Sequence, residues 1–447
     1  MGIKRRLRDS IRRTAGILAL LALLCSASLA ESGPSGPPLD RGEILLRLDS
    51  SLSIEQGRLL LVSHGLASLQ YVDSLDVWRA RPEGAVAAAS TDAIASQLGD
   101  LALWVEPNHI AYAQGTVPDD PEYATRQWGL GRIGMESAWT QSRGQSQVIA
   151  VVDSGADLLH PDLADKLWRN GCEVAGNGFD DDGNGYVDDV LGWDFVEHDA
   201  TPADTYGHGT HVSGIAAADT GNNIGIAGVG WHARIMPLRA LGSDGRGTYA
   251  GIAEAIRYAA DNGARIINLS LGGTSSSLLL AEAVSYAQSK GCLLVAAAGN
   301  YGTPALLYPA ALDGVLAVGA SNQMDLPWES NCWGAEMDIA APGVAIYSTL
   351  PSGLYGLMTG TSMATPHVSG VAALIMAYEP DISWEQASSL ITAEAADIGA
   401  VGWDPYSGWG RLDAAAALRS IERPPRAHRV LLPMISDANA EGCGTGQ

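Results

Sequence analysis

Two patterns of apolar and polar positions divide the chain. After a Pro/Gly linker at residues 33–40, "GEILLRL" reads as a strand, "SIEQGRLLLVSHG" as a helix, "LDVWRARP" as a strand, "STDAIASQLG" as a helix and "LALWVEPNHIAYA" as a last strand. Two helices among several strands predict a small α+β unit, closed by the Pro/Asp cluster "TVPDDPEY" at residues 116–123.

Beyond it the rhythm changes. "SQVIAVVDSG", "ARIMPLRAL", "ARIINLSLGG", "GCLLVAAAGN" and "GVLAVGAS" are apolar almost throughout. Between them lie "GTYAGIAEAIRYAADNG" and "SSLLLAEAVSYAQSKG", helices that each end at a Gly suited to a C-cap. Continuously apolar strands separated by helices describe a parallel sheet covered on both faces. Functional groups in such sheets gather at the carboxyl ends of the strands. Asp153, Ser270 and Asn300 stand at such ends. After Leu418 the helix period is lost, and "HRVLLPM" is the one strand expected in the tail.

Composition and charge narrow the class. The chain has 447 residues, 47% of them hydrophobic, enough for a large core in more than one domain. Gly is abundant at 53 and Phe nearly absent at 2, so turns are tight and aromatic packing rests on Trp and Tyr. A net charge of −23 excludes nucleic acid as a partner, because phosphate binding needs a basic stripe. The N-terminus departs from this acidity: Lys4, Arg5, Arg6, Arg8, Arg12 and Arg13 precede the apolar "GILALLALL" and the small-residue site Ser28-Leu29-Ala30. That order is a secretory signal peptide at residues 1–30. The apolar run is far short of the ~20 residues of a spanning helix, so no stable membrane anchor is expected. Neither a twin-arginine signal nor a lipid attachment at Cys25 fits the neighbouring residues. Cys172, Cys292, Cys332 and Cys443 would remain after export, and sequence does not choose among three pairings or none.

Three Gly-flanked segments carry candidate chemistry. "VVDSG" presents Asp153, "YGHGTHVSG" presents His208 and His211, and "GTSMATPHVSG" presents Ser362. A hydroxyl nucleophile needs a base to take its proton and a carboxylate to orient that base, and Asp, His and Ser supply all three. Singly, each has a plainer use as a turn residue, a structural His or a helix cap. Together, in segments this long, they point to catalysis. Ser362, placed just ahead of an Ala-rich helix, would offer its N–H to an oxyanion, and Asn300 a second donor.

With these motifs the chain resembles the subtilases, the subtilisin-like serine proteases, and within them the thermitase-like group, over residues 118–420. The resemblance implies a three-layer α/β subtilisin-like fold with a parallel central sheet. Ahead of it would stand a small α+β, ferredoxin-like propeptide at residues 31–117, with a C-terminal extension at 421–447. It implies Asp153, His208 and Ser362 as the triad, Asn300 as oxyanion donor and His211 as a structural helix residue. Ser270, Leu271, Gly272 and Gly247 would pair with an extended peptide, and residues 296–299 would line an apolar pocket for a large apolar side chain before the scissile bond. The protein would be a secreted, extracellular monomer acting on proteins or peptides. It would be held as a zymogen by its own propeptide, which acts as an intramolecular inhibitor and is cut between about residues 112 and 118. A silent subtilase fold used for binding would not need all four catalytic groups, and an esterase would not need peptide-pairing segments.

Hard oxygen ligands point to calcium. The resemblance carries one site onto Asp120, Asp162, Asn222 and the backbone of Asp219, Ile224 and Ile226. A second falls on Asp194, Asp199 and Thr201, with Ala203 where the family has a ligand. The acidic stretch "NGFDDDGNGYVDDV" lies in an insertion at about residues 168–191. Asp180, Asp182, Asn184, Tyr186 and Asp188 take the spacing of positions 1, 3, 5, 7 and 9 of an EF-hand loop, but Leu191 stands where its final Glu belongs. Asp189 is the available substitute.

Overall fold

A computed structural model of the chain describes residues 39–86, 90–109 and 116–421. The expected signal peptide and the expected strand "HRVLLPM" lie outside the described residues. The chain divides into two compact units, Met1–Ala113 and Gln114–Gln447.

The first unit runs β1 (Leu39–Leu48), α1 (Ile54–Ser63), β2 (Leu66–Val72), β3 (Val77–Pro82), α2 (Thr91–Leu98) and β4 (Ala102–His109). Its antiparallel sheet has the order β2-β3-β1-β4. Ile44, Leu46 and Leu48 alternate along β1 onto one face, where Leu61 of α1 and Ile94 and Leu98 of α2 join Trp78 in the core. Ser53 and Gln56 form a capping box that fixes the start of α1. Strand β2 is the element that the hydrophobic pattern did not reveal. It is an edge strand whose residues after Leu66 are not buried, so it carries little apolar signal.

The second unit is a three-layer α/β structure. Its seven-stranded parallel sheet contains β5 (Val148–Asp153), β6 (Trp193–Asp194), β7 (Arg234–Arg239), β8 (Ile266–Leu269), β9 (Leu293–Ala297), β10 (Leu316–Ser321) and β11 (Ile339–Pro342). The order is β11-β10-β9-β8-β5-β7-β6. Ile149 and Val151 of β5 face α3 (His208–Ala217), while Ala150 and Val152 face α4 (Tyr249–Asp261) and α5 (Leu278–Ser289). A hairpin of β12 (Ile346–Leu350) and β13 (Leu354–Met358) leads into α6 (Thr361–Tyr378), and α7 (Trp384–Ala393) and α8 (Ala414–Ser420) complete the unit. Helix α6 shares the first face with α3 and is buried along most of its length. Each fully buried Val, Leu or Ile contributes about 1.5–3 kcal/mol.

Strands β6 and β11 and the hairpin were not evident from the sequence. Strand β6 is two residues long, and the other segments are short and broken by Pro and Gly. Cys172 is disulfide-bonded, which removes the possibility that all four cysteines are free, while Cys292 and Cys332 are free and buried.

Helix α3 packs tightly on the end of β5. A Cβ on Gly209 would overlap the carbonyl oxygen of Gly155 and crowd Asp153. Overpacking of this kind costs about 1–3 kcal/mol or more. Gly209→Ala is therefore expected to shorten the thermal inactivation half-life relative to wild type. An unchanged half-life would show that α3 can move away from β5 freely.

Candidate active site

The carboxyl ends of three central strands and the N-termini of two helices converge on one cleft. Asp153 is the last residue of β5 and fully buried, His208 opens α3, Ser270 follows β8, and Asn300 lies three residues beyond β9. Ser362 is the second residue of α6, inside the first turn rather than just ahead of the helix as expected. Its backbone N–H still belongs to the unpaired first turn.

His208 Nδ1 donates to Asp153 Oδ1 at 2.8 Å, and the Ser154 N–H holds the same oxygen at 2.7 Å. This pairing fixes the tautomer, leaving Nε2 as the acceptor. Burial alone drives the His208 pKa down. The Asp153 charge and hydrogen bond, with Asp204 adding to them, outweigh it and hold the pKa above the ordinary imidazole value.

Ser362 and Ser270 are tied reciprocally. Pro366 has no N–H to give the Ser362 carbonyl four residues earlier, so that carbonyl accepts the Ser270 hydroxyl at 2.9 Å. The Ser362 hydroxyl in turn donates to the Ser270 carbonyl at 3.0 Å. Rotation about χ1 is what would turn it towards His208.

Asn300 is oriented by a neighbour. Its Oδ1 accepts from the Thr361 N–H and hydroxyl, each at 2.9 Å, so Nδ2 is the atom left to reach into the cleft. The cleft, of about 640 Å³, is lined by Ser270, Leu271, Gly272 and Gly247 together with His208, Asn300 and Ser362. His211 lies elsewhere: buried, with a pKa pushed down to about 4, it stays neutral and its Nε2 binds the carbonyls of Ile346 and Gly356 in the hairpin.

Two contributors were missed from the sequence. Thr361 is one. The other is Asp204, which gathers the N–H groups of Tyr206, Gly207 and Thr210 and the hydroxyls of Ser154 and Thr210 at 2.6–2.9 Å. An Asp four residues ahead of a helical His was the available signal, since carboxylates collect N–H groups at helix starts.

The candidate cation ligands fare unequally. Asp120 and Asp162 are buried, and burial raises both pKa values. Asn222 Nδ2 donates to Asp162 Oδ1 at 3.0 Å, the Ile226 N–H to Oδ2 at 2.9 Å, the Asp219 N–H to the Asp162 carbonyl, and the Ile224 N–H to Asn222 Oδ1. Neither carboxylate forms an ion pair among the described residues. Two neighbouring buried carboxylates held by N–H groups and the Tyr355 hydroxyl, with no basic partner among the described residues, leave a negative charge that a hard divalent cation would balance.

The second expected set does not fit. Asp194 pairs with the buried Arg239 through Oδ2, and its Oδ1 accepts the N–H groups of Val196 and Glu197. Asp199 Oδ1 caps Thr201, so Arg239 already provides the counter-charge that a cation would supply.

The EF-hand reading of the insertion needs correction, because only Asp182 of its expected ligands joins the carboxylates that converge. Asp180 gathers the N–H groups of Gly183, Asn184 and Gly185, and Asp182 and Asn184 follow within the turn. Asp188 instead accepts the N–H groups of Asn177 and Gly178. The carboxylates that converge are Glu173, Asp182 and Asp189, with oxygens within 4.8 Å of one another. Tyr186 is half-buried against the rings of Trp193 and Tyr258, and Tyr258 donates to Asp189 at 2.5 Å.

A buried carboxylate orienting an imidazole, beside a hydroxyl at a helix N-terminus and a pre-aimed amide, is the equipment of a hydrolase that works through serine. Comparison with known proteins gives the family. The profile of the subtilase family (peptidase S8) matches residues 144–410. Thermitase from Thermoactinomyces vulgaris is 41% identical over 302 residues, 68% of this chain and 99% of its own. Subtilisin BL from Lederbergia lenta is 37% identical over 293 residues, 65% of this chain and 98% of its own. A solved protease structure from Pseudoalteromonas arctica, 29% identical, superposes with a TM-score of 0.59 over 68% of this chain and 99% of that one. The chain belongs to the subtilase family, and its class of activity, serine endopeptidase, comes with that membership.

Only neutral His208 can accept a proton. With its pKa raised, kcat/KM for peptide hydrolysis is expected to fall with acidification through a midpoint above about 6.5, the ordinary imidazole value. Asp204→Asn removes one of the charges that raise it, so the acid limb should move to lower pH. A limb that stays in place in that variant would remove Asp204 from the electrostatics of the site.

Proposed function

We propose that this chain is an exported serine endopeptidase made as a zymogen, with residues 1–30 as its signal peptide, 31–117 as an inhibitor-like propeptide and 118–420 as the peptidase. The observation that carries the mechanism is the hydrogen bond between His208 Nδ1 and fully buried Asp153, which leaves Nε2 free as a base at the cleft. Ser362 Oγ attacks the peptide carbonyl as His208 takes its proton. Asn300 Nδ2 and the Ser362 N–H receive the oxyanion, and His208 then protonates the leaving amine. Water, activated by the same imidazole, releases the acyl group.

An extended peptide is held beside Gly247 and residues 270–272 by backbone pairing, which supports tolerance of varied side chains along the peptide away from the scissile bond. The antiparallel sheet and two helices of the first unit support its reading as a propeptide that occupies the protease until cut. No described helix is long and apolar enough to cross a membrane. The protein is read as a monomer released outside the cell.

Calcium is assigned a structural role. Asp120, Asp162 and Asn222 would hold one ion, and Glu173, Asp182 and Asp189 a second in the insertion. A bound divalent cation would neutralise the clustered carboxylates and stabilise the native state in proportion to its affinity.

Two experiments test this reading. Ser362→Ala should lower peptide hydrolysis by about 10⁶-fold and leave the first unit uncut, read by N-terminal sequencing of the secreted protein. Processing that proceeds normally in the purified variant would reject Ser362 as nucleophile. Chelation should lower the unfolding temperature of the mature enzyme, and Asp162→Asn and Asp182→Ala should each reduce the bound calcium measured by mass spectrometry. Unaltered stoichiometry in either variant would reject that site.

A further inference from the structure

We propose that Leu307 is the specificity-determining residue of this cleft: it raises the floor of the pocket for the side chain preceding the scissile bond and restricts that side chain to small aliphatic groups, chiefly Ala. The inference rests on the peptidase reading above and revises the expectation of a large apolar side chain at that place.

The pocket lies between two strips of backbone that leave the sheet beside Ser362. One is residues 270–273 after β8, and the other is residues 297–300, which begin at the last residue of β9. The residue whose carbonyl Ser362 attacks must lay its side chain between them. The walls themselves are open there, since Gly272 and Gly299 have no side chains.

A third strip closes the far end. The Leu307 N–H donates to the Ala298 carbonyl at 2.9 Å, while Tyr308 and Gly273 exchange two backbone hydrogen bonds at 2.8 and 2.9 Å. Leu307 is thereby fastened between both walls. Its Cβ and Cδ1 come within 2.7 and 3.3 Å of where a Cβ on Gly272 would stand. Its Cγ and Cδ1 come within 2.7 and 2.9 Å of the same point on Gly299. One isobutyl group touching both walls spans the gap between them.

Leu307 has no ready retreat. It is only 8% exposed and yet lines the cleft, so what it exposes faces the pocket. The fully buried Cys332 thiol lies 2.9 Å from the same Cβ position on Gly299. In an interior packed to this density, displacing a side chain strains its neighbours. Among the described residues no Asp or Glu lines the cleft, so none of them would select Lys or Arg. A methyl group fits above Leu307, whereas an aromatic ring would have to displace it.

The test uses mature enzyme and four peptide anilides that differ only in the residue before the cleaved bond: Ala, Leu, Phe or Lys. For wild type, kcat/KM for Ala is expected to exceed that for Phe by about 10-fold or more, the scale on which pockets reject excess volume. Leu307→Ala and Leu307→Gly should each raise the Phe/Ala ratio by about 10-fold or more. Wild-type preference for Phe would overturn the proposal, as would an unchanged ratio in variants that still titrate with a serine-directed phosphonate. The wild-type series decides the matter alone should neither variant fold. Failure of wild type to cleave any substrate or to react with the phosphonate would reject the peptidase reading itself, an outcome distinct from an altered order of substrates.

Discussion

Because both faces of the seven-stranded sheet are packed against helices, polar groups can leave the strands only at their ends, and β5, β8 and β9 deliver Asp153, Ser270 and Asn300 to one carboxyl edge. Helices α3 and α6, packed on the same face, bring their N-termini to that edge. Everything else about the site depends on how closely those helix ends can approach. Gly209 permits contact between α3 and β5, and Pro366 frees a carbonyl through which Ser270 holds α6. The spacing of Asp153, His208 and Ser362 thus rests first on backbone packing.

Hydrogen bonding then orients what packing has assembled. Asp153 selects the His208 tautomer, and Thr361 turns the Asn300 amide. Asp204 satisfies N–H groups that would otherwise be orphaned around the start of α3 and sends its charge towards His208. A single carboxylate therefore supports both helix initiation and the basicity of the imidazole. The same approach of backbones that builds the site also limits it. Leu307 is fastened between two glycine-lined walls by the hydrogen bonds that hold the strips together.

The acidic excess of the chain is dealt with locally. Asp194 is neutralised by Arg239, whereas the pair Asp120 and Asp162 and the cluster Glu173, Asp182 and Asp189 lack basic partners among the described residues. Backbone N–H groups and amides surround them instead. This difference is invisible in a list of Asp positions, because an Arg forty-five residues away in sequence decides it.

The parallel sheet, its helices and the positions of Asp153, His208, Ser362 and Asn300 were legible in the sequence because each depends on local pattern: continuous apolar strands, helical spacing, and Gly-flanked segments long enough to be distinctive. Strands β2, β6 and β11 were not, since an edge strand, a two-residue strand and a Pro-ended strand carry little hydrophobic signal. The sequence by itself determined the fold class and the chemical groups of the cleft. Only the tertiary structure decided that Glu173 joins Asp182 and Asp189, that Arg239 claims Asp194, and that Leu307 stands between Gly272 and Gly299. The reason is physical: residue type and spacing govern local conformation, but counter-charge, convergence and pocket depth depend on segments far apart in the chain that meet only when the core closes.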